Sequence, residues 1–243
     1  MSEQKMKVEV WTDIMCPYCY IGKIHYEKAL QQFEHADEVE LEWKAFQLNP
    51  ELPGKGKGYP VSEYLTMTAG LSQEKVDQMF AGVKKLADDV GVGFNLPGAI
   101  AANTGDAHRL IKLAATKDVE SEVLRHLSKA YFEEAKDYSD HDLLVSIGMD
   151  AGLEEQAIRS MLDSEDYLYE IKQDVQEMAN LGFDTVPTFL MDRRQAIVGS
   201  EPVNLFLSVL KKAHNNWKNR TEKEKEMTVT RGKSCTADGV CDI

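Results

Sequence analysis

Residues 13–22, "DIMCPYCYIG", decide how this chain is read. Cys16 and Cys19 stand two residues apart, a spacing open to three chemistries: a dithiol that cycles with a disulfide, half of a zinc site, or thiols buried as small apolar side chains. The flanking sequence narrows the choice. Upstream, Met6, Val8 and Val10 alternate with Lys7 and Glu9, so "MKVEV" predicts a strand with one buried face. Downstream, Tyr20, Ile21, Ile24, Tyr26, Ala29, Leu30 and Phe33 predict a helix whose apolar positions spread around much of its circumference and are covered on more than one side. In "VELEWKAFQL", Val39, Leu41, Trp43 and Ala45 alternate with Glu40, Glu42 and Lys44, a second strand. The cysteines therefore fall where a strand turns into a helix. Pro17 suits the first helical turn, where its missing N–H has no helical partner.

That position carries chemical meaning, because the thiolate is the nucleophile. Free N–H groups and the positive end of the helix dipole lower a cysteine pKa there, most for the first and more exposed cysteine, Cys16. One turn on, Cys19 can close a disulfide with it. The other two cysteines, Cys235 and Cys241 in "CTADGVC", offer a four-cysteine zinc site as the competing reading. Five residues separate that pair, outside the usual spacing, and it lies in a polar C-terminal stretch, so no metal is expected. Asp238-Gly239 can turn the chain between them, which makes Cys235 and Cys241 a candidate second redox pair.

Composition sets the frame. Of 243 residues, 43% are hydrophobic and 28% charged, which suits a soluble globular chain with a sizeable core. The formal net charge of −13 argues against nucleic acid or an anionic membrane surface as partner. "MSEQKMKVEVWTD" has no apolar targeting region and no window is apolar enough to span a bilayer, so a cytoplasmic location is expected. In a reducing compartment, paired cysteines lean towards metal binding or catalysis.

From Val61 to about Leu162 the periodicity becomes helical: Val76, Met79, Phe80, Val83, Leu86 and Val90 define one helix, and others fit 104–117, 119–136, 140–151 and 154–163. No strand is read within this block. Asn103 and Ser139 are the candidate helix starts, each followed three residues on by an Asp. "YLYEIKQDVQEMANLG" predicts a further helix stopped by Gly182. "PTFLM" and "QAIVG" predict a hairpin through "DRR", and a last helix starts near Pro202. Beyond about Ala213 a polar, mobile tail is expected. The organisation is thus an α/β unit over 1–60 and 163–213, a helical insertion over 61–162, and a C-terminal extension over 214–243.

"TVPTF", Thr185–Phe189, puts a proline at the opening of the hairpin. By itself this is an ordinary strand boundary, since proline cannot donate to the ladder. Strand, CxxC, helix, strand and later X-Pro before a hairpin is, however, the layout of the thioredoxin fold. "WTDIMCPYC", "YIGK", "FQLNPEL", "NTGDAHRLI", "GFDTVPTFLM" and "IVGSEPV" keep this order over residues 6–212. On these motifs the chain resembles the DsbA family of the thioredoxin superfamily, specifically its FrnE-like branch.

The resemblance implies a thioredoxin-like fold with a large all-helical insertion and a thiol-disulfide oxidoreductase acting on protein disulfides or thiols. Cys16 is then the attacking thiol and Cys19 the resolving one. Pro187 is the cis-proline facing them, and Val186, Pro17 and Tyr18 contact substrate. No dissociable cofactor is implied, since the dithiol carries the electrons. Glutathione or a cellular reductant is a further expected partner. Asp13 is open between a turn or capping residue and a proton relay for Cys19. His108 and Arg109 match the family's "AHRL" stretch, although an amphipathic helix explains them as well. The dipeptide between the cysteines is Pro-Tyr where strongly oxidising periplasmic relatives carry Pro-His, which removes one contributor to thiolate stabilisation.

Two other functions compete. Glutathione-dependent isomerases of the 2-hydroxychromene-2-carboxylate type share this architecture but commonly carry serine at the place of Cys16. A chaperone-like binding module would draw on the ten methionines, yet the spacing of Met79 with Phe80, and of Met178 with Ile171, reads as core.

Overall fold

The computed structural model of the chain describes residues 5–219 and 228–236. The first unit is β1 (Met6–Thr12), α1 (Pro17–Gln31) and β2 (Val39–Ala45). As a right-handed crossover requires of adjacent parallel strands, β1 and β2 pair in parallel, from Met6↔Val39 to Thr12↔Ala45. The helical block follows as β3 (Tyr59–Pro60), α2 (Val61–Ala69), α3 (Gln73–Val90), β4 (Ile100–Ala101), α4 (Gly105–Ala115), α5 (Glu120–Phe132), α6 (His141–Asp150) and α7 (Glu155–Leu162). The chain returns through α8 (Leu168–Asn180), β5 (Thr185–Val186), β6 (Thr188–Met191), β7 (Gln195–Val198) and α9 (Val203–Lys218), then β8 (Thr228–Arg231) and β9 (Cys235–Thr236).

These elements form a five-stranded central sheet in the order β2-β1-β6-β7-β8. The hairpin β6–β7 turns through Asp192–Arg194, between the paired Met191 and Gln195; Asp192 and Arg193 are both at positive φ (50° and 52°), and the Arg194 N–H closes the turn on the Met191 carbonyl at 3.0 Å. β1 lies inside the sheet, so the alternation of "MKVEV" does not give one wet face. Glu9 is fully buried with Met6, Val8 and Val10. Its Oε1 meets Arg193 Nη2 at 2.5 Å and lies 3.6 Å from Lys44 Nζ. Tyr26 of α1 stacks on Phe189 of β6, and Phe206 of α9 packs edge-on against both rings. His35 and His214 stack at 4.4 Å and share Glu38, fastening the end of α9 to the segment before β2.

Three expectations need correction. The helical block is interrupted by a strand: Ile100–Ala101 pairs with Tyr59–Pro60 as a two-stranded ribbon, too short to show any periodicity. The helix starts fall one residue later than Asn103 and Ser139. Thr104 and Asp140 are the caps; Asn103 Oδ1 accepts the Gly105 N–H at 2.8 Å, and the Ser139 hydroxyl accepts the Gly56 N–H instead. Finally, part of the polar tail is built into the fold. α9 continues to Lys218, and residues 228–231 add an edge strand parallel to β7, from Gln195↔Thr228 to Val198↔Arg231. An edge strand needs little apolar sequence, because its partner supplies the ladder.

Candidate active site

Cys16 is the N-cap residue of α1 (φ −85°, ψ 114°) and Pro17 opens the helix, as the strand-to-helix turn predicts. The turn is closed by two backbone bonds, Cys16 N–H to Asp13 O at 3.2 Å and Cys19 N–H to Cys16 O at 3.1 Å. Gly22, one turn further into α1, faces Pro187: a Cβ there would stand 3.2 Å from Pro187 Cγ. The glycine of "YIGK" thus lets the helix approach the loop before β6. That loop carries a cis Val186–Pro187 bond, and Cys16 Sγ lies 3.8 Å from the Val186 carbonyl oxygen.

The expected exposure of Cys16 is reversed. Cys16 is 0% exposed and Cys19 4%. Burial, followed by its contact with Cys19, pushes the Cys16 thiol well above its ordinary value of 9.0, against the lowering expected from the helix start. β9 pairs antiparallel with β5 in the register Thr185↔Thr236 and Val186↔Cys235. The backbone of Cys235 therefore lies opposite the residue whose carbonyl Cys16 reaches. Cys241 lies outside the described residues.

Asp13 caps no helix with its side chain. It is 1% exposed, and its Oδ2 accepts the Leu48 N–H at 2.7 Å. Oδ1 is 3.3 Å from His108 Nε2, which also lies 2.9 Å from the Phe46 carbonyl. The Asp13 N–H points to Cys19 Sγ at 3.5 Å. Three segments of the sequence, the CPYC turn, "FQLNPEL" and "AHRL", thus close around the carboxylate of a residue whose backbone N–H reaches Cys19. His108, 2% exposed, is a residue of this cluster that periodicity alone assigned to a helix face. The signal that marks it is a polar pair, His108-Arg109, within the buried run Ala107–Ile111. Arg109 does different work: Nε and Nη2 donate to the carbonyls of Asp166 and Ser164 at 2.7 Å each, and Nη2 also to that of Met161, holding the end of α7.

Pro17 borders an apolar cavity of about 50 Å³ between the CPYC turn and the helical block, together with Met15, Leu48, Tyr64, Phe80 and Tyr131. Tyr18 is buried (2% exposed). Cys16, Cys19, Val186 and Pro187 are brought together; Tyr18 turns inward from the same turn. A thiol at a helix start, a second thiol one turn on, and an adjacent two-residue strand are suited to dithiol exchange with an extended peptide.

The chain belongs to the DSBA-like thioredoxin domain family, whose profile matches residues 7–211. A probable DsbA oxidoreductase of Streptomyces coelicolor is 32% identical and superposes with a TM-score of 0.82, covering 98% of this chain and 99% of that one. The cytosolic disulfide reductase DsbM of Pseudomonas aeruginosa (12% identity, TM-score 0.55, 88% and 98% covered) shares the fold. So does a 2-hydroxychromene-2-carboxylate isomerase (13%, 0.64, 89% and 100%). The protein YwbO of Bacillus subtilis is 25% identical over 193 residues, 76% of this chain and 86% of its own. Among the described residues, no helix is long and apolar enough to cross a membrane.

Proposed function

We propose that the protein is a thiol-disulfide oxidoreductase of the FrnE-like branch that exchanges disulfides with protein substrates through Cys16 and Cys19, in the cytoplasm. The observation that carries this is Cys16 Sγ beside the Val186 carbonyl, 3.8 Å away, at the residue preceding cis-Pro187. The Cys16 thiolate attacks one sulfur of a substrate disulfide; the substrate S–S bond breaks and the departing thiolate takes up a proton. Cys19 then attacks Cys16 Sγ, releasing the second substrate thiol and leaving a Cys16–Cys19 disulfide. Two electrons pass from dithiol to substrate, and the reverse sequence oxidises a substrate dithiol. Val186 and Pro187 dock the peptide, and Pro17 lines the apolar cavity beside it. In this reading the Asp13 N–H, 3.5 Å from Cys19 Sγ, favours the Cys19 thiolate, and the Asp13 carboxylate, held by Leu48 and His108, is the candidate proton acceptor. On the same reading, residues 5–60 with 163–218 and the edge strand 228–231 make up the thioredoxin-like unit, and 61–162 its insertion.

The register Val186↔Cys235 favours a second reading for the tail: Cys235 and Cys241 exchange with Cys16 as a second redox pair, at high effective concentration. The test is turnover of a disulfide-bonded peptide with glutathione as reductant. Cys16→Ser is expected to abolish turnover and Cys19→Ser to stall it, while an unchanged rate in Cys16→Ser would refute the assignment. A glutathione-dependent isomerase would instead keep activity in Cys19→Ser on a carbon substrate; retention of both cysteines favours the redox reading.

A further inference from the structure

The path of the C-terminal segment is specific to the site. β8 is held on β7 by four paired residues. The chain then crosses Gly199, which adopts φ +92°. A Cβ at Gly199 would lie 2.4 Å from the Gly232 carbonyl carbon, so backbone runs directly over backbone and only glycine permits the crossing. The Gly232 N–H donates to the Val198 carbonyl. The Ser200 N–H donates to the Lys233 carbonyl at 2.8 Å. Ser234 is 7% exposed. Only then does the strand reach β5. Gly199 itself donates to the Pro187 carbonyl at 2.7 Å, which joins the crossing point to the cis-proline loop.

The segment that ends this path occupies the edge where an external peptide would add a strand. Thr185–Val186 is two residues long, and β9 pairs with both. A strand edge accepts one partner at a time, so the two occupants exclude each other. The buried state of Cys16 agrees with an occupied edge.

Building on the function proposed above, we propose that residues 232–236 form a strap that fills the peptide-docking edge in cis and must release before an external disulfide reaches Cys16. The anchoring is graded in the way a reversible strap requires. β8 and the Gly199/Gly232 crossing hold the base, whereas β9 is held by two residue pairs and forms the weakest link. Substrates compete with the strap, so apparent affinity scales with the open fraction. Occlusion is independent of tail redox chemistry, since backbone pairing does it.

Two full-length variants separate these ideas. Cys235→Ser/Cys241→Ser removes the tail thiols and keeps the strand. Cys235→Pro/Thr236→Pro/Cys241→Ser also lacks them but cannot pair with β5, because proline has no N–H and disfavours a ladder. The readout is the rate of Cys16 alkylation by iodoacetamide, located by peptide mass spectrometry. The proline variant is expected to react about tenfold faster than the serine variant, the factor given by an open fraction of roughly one in ten. Equal rates in the two would overturn the proposal. Faster alkylation without any peptide-disulfide turnover would leave the strap standing and remove the oxidoreductase reading. A second measurement leaves the tail unaltered and uses Cys19→Ser protein, in which the adduct cannot be resolved: hydrogen exchange at residues 233–236 before and after Cys16 is blocked as a mixed disulfide with a short peptide. Exchange is expected to rise on blocking. Unchanged protection would show that the strap need not leave.

Discussion

Replacing Asp13 by alanine removes the acceptor on which three chain segments converge. The Leu48 N–H, bonded to Oδ2 at 2.7 Å, would be left buried without its partner. His108 would keep its contact with the Phe46 carbonyl at 2.9 Å and lose only the longer one at 3.3 Å. A hydrogen bond to a charged group contributes about 1.5–3 kcal/mol, and relief of the buried carboxylate offsets part of its loss, so Asp13→Ala is expected to cost about 2–3 kcal/mol. Asp13→Asn keeps an oxygen for Leu48 but sets an amide N–H₂ against His108 Nε2, whose proton already serves the Phe46 carbonyl. It should cost about 1 kcal/mol, largely recovered when His108→Ala is added. Urea unfolding by circular dichroism measures all of these, with unchanged m-values. A loss under about 0.5 kcal/mol for Asp13→Ala, or equal losses for the Ala and Asn variants, would refute the hub described here. A proton-handling role adds a kinetic signature: the mixed disulfide on Cys16 should resolve more slowly in Asp13→Asn, because an amide cannot accept a proton.

Further outcomes follow from the same contacts. The Tyr138 hydroxyl accepts the Ala102 N–H at 3.0 Å and donates to the Ala102 carbonyl at 2.7 Å; Tyr138→Phe should lose about 1–3 kcal/mol in urea unfolding. Lys44 Nζ faces Glu42, Glu177, Glu9 and Asp174 at 2.9–3.7 Å; Lys44→Met removes this shared cation while Arg193, Lys112 and Lys7 still pair with those carboxylates, and should cost about 1.5–3 kcal/mol. Burial raises the thiol of Cys16 and the hydroxyls of Tyr131 and Tyr138 above their ordinary 9.0 and 10.0. The native state then holds protons that the unfolded state releases. Stability is therefore full below about pH 9 and falls as pH rises beyond it, by up to about 1.4 kcal/mol per pH unit for each group; a flat profile to pH 11 would contradict this.

The sequence made the framework legible where periodicity is long. The strand-helix-strand start, the hairpin through Asp192 and Arg193 and the helix stop near Gly182 all rest on runs long enough to show a period. Two-residue strands show none, which is why Tyr59–Pro60 and Ile100–Ala101 were hidden. Glu9 misled because a central strand is covered on both faces and its charge is matched by Arg193, distant in sequence. The cysteine pair and the proline could be seen, but the burial of Cys16 could not: helix-start reasoning is local, whereas burial depends on distant segments such as the Val186 loop that the fold packs against the turn. His108 was hidden likewise, since its partners Asp13 and Phe46 are joined to it only by the fold.

Trapping is the most direct measurement of the central claim. Full-length Cys19→Ser protein is incubated with a disulfide-bonded peptide, quenched in acid and digested without reductant, and the linked peptides are identified by mass spectrometry. The mechanism predicts a covalent adduct on Cys16 that persists, and that forms only transiently when Cys19 is present. An adduct confined to the tail cysteines, or no adduct while turnover continues, would contradict it.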